Sequence, residues 1–246
     1  MTVLATSSFL THLKSLYPRG DCLTNPWYII TSVAFCASNR VEEVPRVFKY
    51  ALKDLQAEND KLDDHRLLAR KVRDALFKAG MVAGYARAHP SLQTINSLVA
   101  LHEVMPEELR DTKTLRRTDI PIEFYEKTGG ALFRSIYGET TESVQGLLDT
   151  IYPDMGWFSN TIGYGMTYGF TDILSPLETS YILVAALIAS DSPRQIQWHL
   201  DGARRRGATI EEARTVRTMS MEVAALSGIQ WRDGVPEVKD FIENKQ

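Results

Sequence analysis

The sequence predicts an all-α fold, and three observations support this prediction. Apolar residues recur at three- and four-residue steps, as along residues 66–84 and 211–228, which is the spacing of one buried helix face. No segment shows the strict apolar–polar alternation typical of a half-buried strand. Prolines divide the chain into pieces of helical length, at Pro26, Pro45, Pro90, Pro106, Pro121, Pro153 and Pro176. We therefore expect about ten helices and no sheet of consequence.

The composition is that of a globular protein with one large domain or two small ones. The chain has 246 residues, 44% of them apolar and 24% charged, and a net charge of −3. This charge gives no electrostatic reason to expect nucleic acid or an anionic membrane as a partner. The longest apolar run, residues 181–189, is far shorter than the roughly 20 residues of a membrane-spanning helix. Cys22 and Cys36 are too few for a disulfide scaffold, so we expect an intracellular, reducing compartment.

The ends of the chain leave the compartment open. The residues before Asp21 include Ser and Thr but no acidic residue, a composition found in organelle transit peptides. However, Lys14 and Arg19 are the only fixed cations there, and the apolar residues suit a first helix that packs on the core equally well. Residues 244–246 match no C-terminal targeting tripeptide such as Ser-Lys-Leu. Both the cytoplasm and the mitochondrion are compatible with these features.

An internal repeat organises the chain. Residues 69–84 align without gaps on 213–228, and residues 28–38 align on 181–191 in the same order. In each half, one further predicted helix lies between the aligned blocks, so two copies of a three-helix unit explain the pattern. The predicted domains are an N-terminal extension at 1–24, a first repeat at 25–105, a connecting helical segment at 106–160 and a second repeat at 161–246.

The ends of two predicted helices can be placed from short motifs. Gly207 is a predicted left-handed C-cap that follows a basic run at 204–206, where cations favour the negative end of a helix. Thr209 and Glu212 have the spacing of a capping box for the next helix. These motifs give the basic run a structural explanation.

The second half contains an ordered series of motifs. In residues 168–216, a Tyr-Gly pair and a Leu-Ser turn precede an apolar helix, and a helix containing His199 then ends in Gly-Ala-Thr, followed closely by Glu-Glu. This block resembles the carboxymuconolactone decarboxylase and AhpD-like superfamily, and residues 70–98 resemble the second copy found in two-repeat members. The resemblance covers most of residues 27–230. It implies an AhpD-like helical fold with two tandem repeats, assembled as a homo-oligomeric ring, for which a trimer is expected.

The resemblance also implies a site. Redox members of the superfamily contain C-x-x-C-x-x-x-H with a glutamate upstream, and His199 and Glu178 match the histidine and that glutamate. Ser192 and Gln195 stand at the two cysteine positions, and neither can form a disulfide. AhpD-type peroxidase chemistry is therefore predicted to be absent.

The predicted catalytic residues are His199 and Glu178, and each has a structural explanation as well. His199 borders the apolar face of its helix, where an imidazole could act as general acid or base near neutral pH, or could be a core-edge histidine satisfied by one hydrogen bond. Glu178 lies in the first turn of a helix predicted at 177–190, where a carboxylate interacts favourably with the helix end. It could instead hold His199 in one tautomer or exchange a proton with substrate. The first repeat has no equivalent pair, which predicts one site per chain.

Four further residues are candidates for substrate binding. Arg217, on the last long helix, could neutralise a substrate carboxylate or form a structural ion pair. Trp198 could line a pocket or a subunit contact. Tyr164 and Tyr168 lie in a predicted irregular, glycine-rich loop, where they could donate hydrogen bonds to substrate or simply pack.

Because the histidines are scattered, at His12, His65, His89, His102 and His199, no metal site is predicted, and no cofactor is expected.

Three functional hypotheses follow. The first is a cofactor-free enzyme of the decarboxylase-like branch, in which His199 and Glu178 transfer protons during decarboxylation or isomerisation of a small carboxylated or lactone substrate. The second is a non-catalytic oligomeric scaffold or small-ligand binder. The third, a thiol antioxidant oxidoreductase using Cys36 or Cys22, is the weakest because neither cysteine has a resolving partner in the motif.

Overall fold

The computed structural model describes residues 2–18, 20–85 and 93–240 and contains helices but no strand among them. The prediction of an all-α fold is confirmed. The α-helices are α1 Ser7–Leu16, α2 Trp27–Ala37, α3 Val44–Glu58, α4 Leu62–Ala83, α5 Gln93–Val104, α6 Ile122–Tyr137, α7 Thr141–Ile151, α8 Pro153–Phe158, α9 Pro176–Ala189, α10 Pro193–Arg205 and α11 Ile210–Leu226. His89, Pro90 and residues 244–246, which entered the sequence predictions, lie outside the described residues.

Helices α2 and α9 form the centre of the core. Every residue of α2 is buried, and so is every residue of α9 from Thr179 onward. A helix that is apolar on all sides must be covered on all sides. Accordingly α2 and α9 pack on each other, and each also packs on both α4 and α11.

The packing follows the order that the predicted repeat requires. Helix α3 packs on α2 as α10 packs on α9, and α4 and α11 are each followed by a left-handed glycine, Gly84 with φ 89° and Gly228 with φ 94°. Asn39 and Asp191, just after α2 and α9, also have positive φ values of 61° and 50°. These two matching turns favour a register one residue away from the alignment of 28–38 on 181–191. The predicted repeat and domain boundaries themselves stay a prediction.

A smaller apolar cluster lies where α6 crosses a π-helix at Ser159–Tyr168. A Cβ atom at Gly129 would overlap the carbonyl oxygen of Asn160, and one at Gly165 would overlap that of Tyr125. The close crossing therefore requires glycine on both elements. The prediction of an irregular loop around Tyr164 and Tyr168 is wrong, because this packing holds the glycine-rich backbone in a helical form.

The surface of α7 and α8 exposes large apolar side chains. We call this the α7–α8 apolar surface; it comprises Leu147, Ile151, Tyr152, Met155, Trp157 and Phe158, each between 43% and 69% exposed. The sequence contains no Lys or Arg between Arg134 and Arg194, so the segment that forms this surface carries only carboxylate charges. None of the described helices has the length and apolar character needed to span a membrane.

Candidate functional site

His199 is buried where α10 packs on α6. The close approach of these helices depends on Gly202, where a Cβ atom would lie 3.1 Å from the Cα atom of Ile136. His199 is only 5% exposed, and the centre of its ring lies 6.1 Å from the centre of the Tyr137 ring. Burial lowers the pKa of His199 to about 4, and its Nδ1 atom has no hydrogen-bond partner. At neutral pH the side chain is therefore a neutral imidazole in an apolar environment.

Tyr137 stands at the centre of an aromatic group that contains His199. Its hydroxyl lies 2.9 Å from the hydroxyl of Tyr164, and its ring lies 5.3 Å from that of Trp198. Tyr168 in turn packs against Tyr164 at 5.3 Å. We call this group the His199 cluster; its members are Phe133, Tyr137, Tyr164, Tyr168, Trp198 and His199.

The His199 cluster brings together four of the predicted site residues, His199, Trp198, Tyr164 and Tyr168. Sequence analysis missed Tyr137, although its spacing from Phe133 on an apolar helix face was a usable signal. Burial raises the pKa of Tyr137 and raises that of Tyr164 well above its ordinary value. The two hydroxyls are therefore neutral and can act as hydrogen-bond donors.

Glu178 lies in a different environment, at the interface of α4 and α9. Its Oε2 atom accepts a hydrogen bond from the Ser175 backbone N–H at 2.8 Å, and its own N–H donates to Ser175 Oγ, which forms a capping box. Its Oε1 atom accepts from Lys71 Nζ at 2.6 Å. Lys71 also donates to the carbonyl oxygen of Leu23 at 3.1 Å. Among the described residues, no hydrogen bond or ion pair joins Glu178 to His199.

A second lysine on α4 is buried at the same interface. Lys78 Nζ donates to the Phe170 carbonyl oxygen at 2.6 Å and to Thr179 Oγ1 at 2.9 Å, and it lies 3.3 Å from Asp74 Oδ2. Burial lowers the pKa of Lys78 to about 8, although the nearby Asp74 carboxylate opposes this shift. Asp74 Oδ1 also accepts from Arg116 Nη2 at 2.6 Å. We call Lys71, Asp74, Lys78, Arg116 and Glu178 the α4–α9 charged interface.

Sequence analysis missed the α4–α9 charged interface. A signal was present, since Lys71, Asp74 and Lys78 recur at steps that place them on one face of α4. Charged residues at such spacing are usually solvated, so the pattern alone does not indicate burial.

Arg217 does not join the His199 cluster. Its Nε atom donates to the Pro236 carbonyl oxygen, and its Nη2 atom donates to the Val235 carbonyl oxygen, both at 2.7 Å. Nη2 also pairs with Glu237 Oε1 at 2.6 Å. Arg217 thus attaches the segment at 235–237 to α11, which is the structural role that the sequence left open.

The two cysteines are poor candidates for redox chemistry. Both are buried free thiols. Burial raises the pKa of Cys22 to about 12 and also raises that of Cys36. Since the thiolate is the reactive form, neither group is activated at neutral pH.

Comparison with known proteins gives full-length similarity to two yeast proteins. No model of a known protein family matches the chain. The chain is 29% identical over 228 residues to "Peroxisomal protein 2" of Schizosaccharomyces pombe, covering 92% of this chain and 99% of that protein. It is 25% identical over 289 residues to "Peroxisomal protein 2" of Saccharomyces cerevisiae, covering 96% and 99%. The similarity therefore extends over more than nine tenths of the chain and is not limited to one motif.

Proposed function

We propose that this chain is a peroxisome-associated protein that acts by binding and not by acid–base catalysis at a His199–Glu178 pair. The full-length similarity to two yeast proteins named Peroxisomal protein 2 supports the location. It favours the peroxisome over the cytoplasm or mitochondrion that the sequence left open.

The observation that supports a non-catalytic role is the separation of the two predicted catalytic residues. Both carboxylate oxygens of Glu178 are engaged, one by Lys71 and the other by the Ser175 backbone. Burial lowers the pKa of His199 to about 4, so the imidazole is neutral at pH 7. Decarboxylation needs a proton donor, and this histidine is a poor one without a carboxylate to stabilise its charge.

The α7–α8 apolar surface supports a binding role. Exposed apolar side chains that are contiguous on a surface usually mark an interaction site. We include in the proposal that copies of the chain meet at this surface to form the expected homo-oligomer, a trimer. Ile151, the most exposed of these side chains at 69%, would lie near the centre of the contact.

The first experiment locates the protein and measures its assembly. The chain with a fluorescent protein at its N-terminus should coincide with a peroxisomal marker in yeast cells, and a diffuse or mitochondrial signal would contradict the proposed location.

Light scattering after gel filtration should give a trimer that Ile151→Glu converts to smaller species. Leu226→Glu, at an exposed apolar residue on α11, is the matched control and should remain a trimer. A monomeric wild-type protein would contradict the assembly.

The second experiment tests catalysis directly. The purified protein is incubated with a panel of small lactones and keto acids, beside His199→Phe and Glu178→Gln variants. The proposal expects no turnover above background. Turnover that either substitution abolishes would overturn the non-catalytic role.

A second candidate function is an enzyme that uses the His199 cluster without Glu178. The observation that favours it is the assembly of four predicted site residues around Tyr137, whose hydroxyl bonds to that of Tyr164. In this case the resemblance to the carboxymuconolactone decarboxylase and AhpD-like superfamily is supported by the repeat-like packing of α2, α4, α9 and α11. The test is to follow the His199 ring by NMR while the same panel is added. A compound that shifts this resonance, and is turned over by wild type but not by His199→Phe, would favour this candidate.

A further inference from the structure

A pocket of about 290 Å³ lies against the side of α4 that faces residues 111–116. It is separate from the His199 cluster. Its charged lining consists of Arg70, Arg73, Asp74, Asp111, Lys113 and Arg116. Four of these six groups are cations, so the pocket has a positive balance in a chain whose net charge is −3.

The two carboxylates neutralise only half of this positive charge. Arg70 donates to Asp111 Oδ1 at 3.0 Å from Nε and at 2.8 Å from Nη2, and Arg73 donates to Asp111 Oδ2 at 2.5 Å. Burial tends to raise the pKa of Asp111, but these two arginines together lower it, so the carboxylate is ionised at neutral pH. One negative charge therefore faces two positive charges.

The same arrangement occurs around Asp74. Its carboxylate is shared between Arg116, at 2.6 Å, and the buried Lys78, at 3.3 Å. Lys113 is exposed and forms no ion pair among the described residues. The pocket therefore has an excess of positive charge that a bound anion would neutralise.

The internal repeat explains the ion pairs of Arg70 and Arg73 as structural, but it does not explain those of Asp74. The repeat-related arginines, Arg214 and Arg217, bind Asp240 and Glu237 of the segment that follows α11. Arg70 and Arg73 bind Asp111 of a following segment in the same way. In the second repeat, however, the position of Asp74 is occupied by Thr218.

Arg116 is positioned by aromatic side chains. Its guanidinium carbon lies 4.3 Å from the ring centre of Phe77 and 4.6 Å from that of Phe170. Such contacts hold a guanidinium plane in one orientation. Its Nε atom is buried without a hydrogen-bond partner, so the protein does not use all of its donors.

We propose that this pocket binds a small organic oxyanion, a carboxylate or phosphate attached to a short apolar group. Lys113, Arg116 and the arginines on α4 would bind the oxyanion, because guanidinium groups match its geometry. Phe77, Leu115 and Ile173 line the same pocket and would contact the apolar group. The volume is at the small end of the range for ligand pockets, so the ligand is small. This inference does not depend on the peroxisomal location or on the α7–α8 apolar surface.

The test is a calorimetric titration with hexanoate, hexyl phosphate, inorganic phosphate and hexanol. At least one of the two organic anions should bind saturably, more tightly than hexanol and inorganic phosphate, and more weakly as salt is added. Preference between hexanoate and hexyl phosphate identifies the headgroup. Equal binding of hexanol, equal binding of inorganic phosphate, or no saturable binding of either organic anion would overturn the proposal.

Substitutions at exposed lining residues assign the binding to this pocket without threatening the fold. Leu115→Glu places a negative charge in the pocket and should weaken binding at least about tenfold. Lys113→Gln should weaken it about two- to fivefold, as expected for one exposed charge. Lys49→Gln removes an exposed lysine of α3 that lies outside this pocket and should leave affinity unchanged. Equal affinity in all three variants would place the ligand elsewhere and overturn the assignment.

Discussion

The His199 cluster and the α4–α9 charged interface are both buried, but their ionisable groups differ in charge. His199 is neutral, whereas the groups of the interface form ion pairs. In the His199 cluster, the imidazole packs against the ring of Tyr137, and burial alone lowers its pKa to about 4. At the α4–α9 charged interface, Glu178 and Lys71 form a direct ion pair at 2.6 Å, and Asp74 lies between Lys78 and Arg116. Burial removes a charge that has no partner, whereas a charge with a partner is kept. A neighbour of opposite charge, more than the residue type, therefore decides whether a buried ionisable group stays charged.

The two environments also explain why Glu178 and His199, which the sequence motif pairs, do not contact each other through a hydrogen bond. Glu178 and His199 are only 21 positions apart in the sequence, yet the group that contacts Glu178 comes from α4, in the first half of the chain. The aromatic ring that packs against His199 comes from α6, in the connecting segment. Each residue of the predicted pair acquires its neighbour from a distant helix.

The largest expected effect comes from breaking the α4–α9 charged interface. Asp74→Asn removes the counter-charge of the fully buried Lys78 and of Arg116. Loss of one partner of a buried ion pair should lower the free energy of unfolding by about 3–5 kcal/mol, measured by urea denaturation. The double variant Asp74→Leu/Lys78→Met removes both charges and should be more stable than Asp74→Asn. A loss below about 1 kcal/mol in Asp74→Asn would mean that solvent reaches Lys78.

The pH dependence of stability tests the environment of His199. The folded state resists protonation down to a pKa of about 4, whereas the unfolded state binds the proton near the ordinary value of 6.5. The unfolded state binds more protons between these values, so stability is lost as the pH falls from about 6.5 toward 4. The full loss is about 3 kcal/mol, and it should be visible in denaturation at a series of pH values.

Two variants attribute this loss to His199. His199→Phe removes the titrating group from an aromatic environment and should flatten the acid limb of the stability profile. His102→Gln, at an exposed histidine, should leave the profile unchanged. An acid limb that persists unchanged in His199→Phe would show that other titrating groups cause it, and would contradict the assignment to His199.

The crossing of α6 with the π-helix supports the His199 cluster, because it positions Tyr164 and Tyr168. Gly129→Ala places a Cβ atom against the Asn160 carbonyl oxygen. We expect a loss of about 1–3 kcal/mol from this overpacking. Gly146→Ala, on α7 where a Cβ atom meets nothing within 4 Å, should gain roughly 0.5–1 kcal/mol. Thermal unfolding of both variants measures the contrast, and equal effects would contradict the close crossing.

The smallest effect is expected within the His199 cluster itself. Tyr137→Phe removes the hydroxyl that bonds to Tyr164 at 2.9 Å. The loss should be about 1 kcal/mol, because one buried hydrogen bond disappears. Tyr50→Phe removes a hydroxyl that lies 2.7 Å from Thr11 Oγ1 in an exposed bond; it is the matched control and should change stability by no more than roughly 0.5 kcal/mol. Unchanged stability in Tyr137→Phe would indicate that water replaces the lost hydroxyl.

Local features were largely predictable from the sequence. The helical periodicity predicted the fold class, and the predicted left-handed Gly207 and the Thr209–Glu212 capping box are both present in the structure. These features depend on contacts between residues a few positions apart, so a short stretch of sequence is enough to predict them. Four members of the predicted site also come together: Trp198 and His199 on α10 and Tyr164 and Tyr168 on the π-helix meet through Tyr137 of α6.

Short-range hydrogen bonding and side-chain spacing made the helical fold class, the helix ends at Gly207 and Thr209, and the candidate residues predictable from the sequence alone. Long-range packing set the rest: Glu178 pairs with Lys71, Tyr137 lies beside His199, and Arg116 lies between Phe77 and Phe170. It also converted an apparent glycine-rich loop into a π-helix that packs on α6. The physical reason is that desolvation and charge pairing depend on which distant helices approach, and no local pattern specifies that approach.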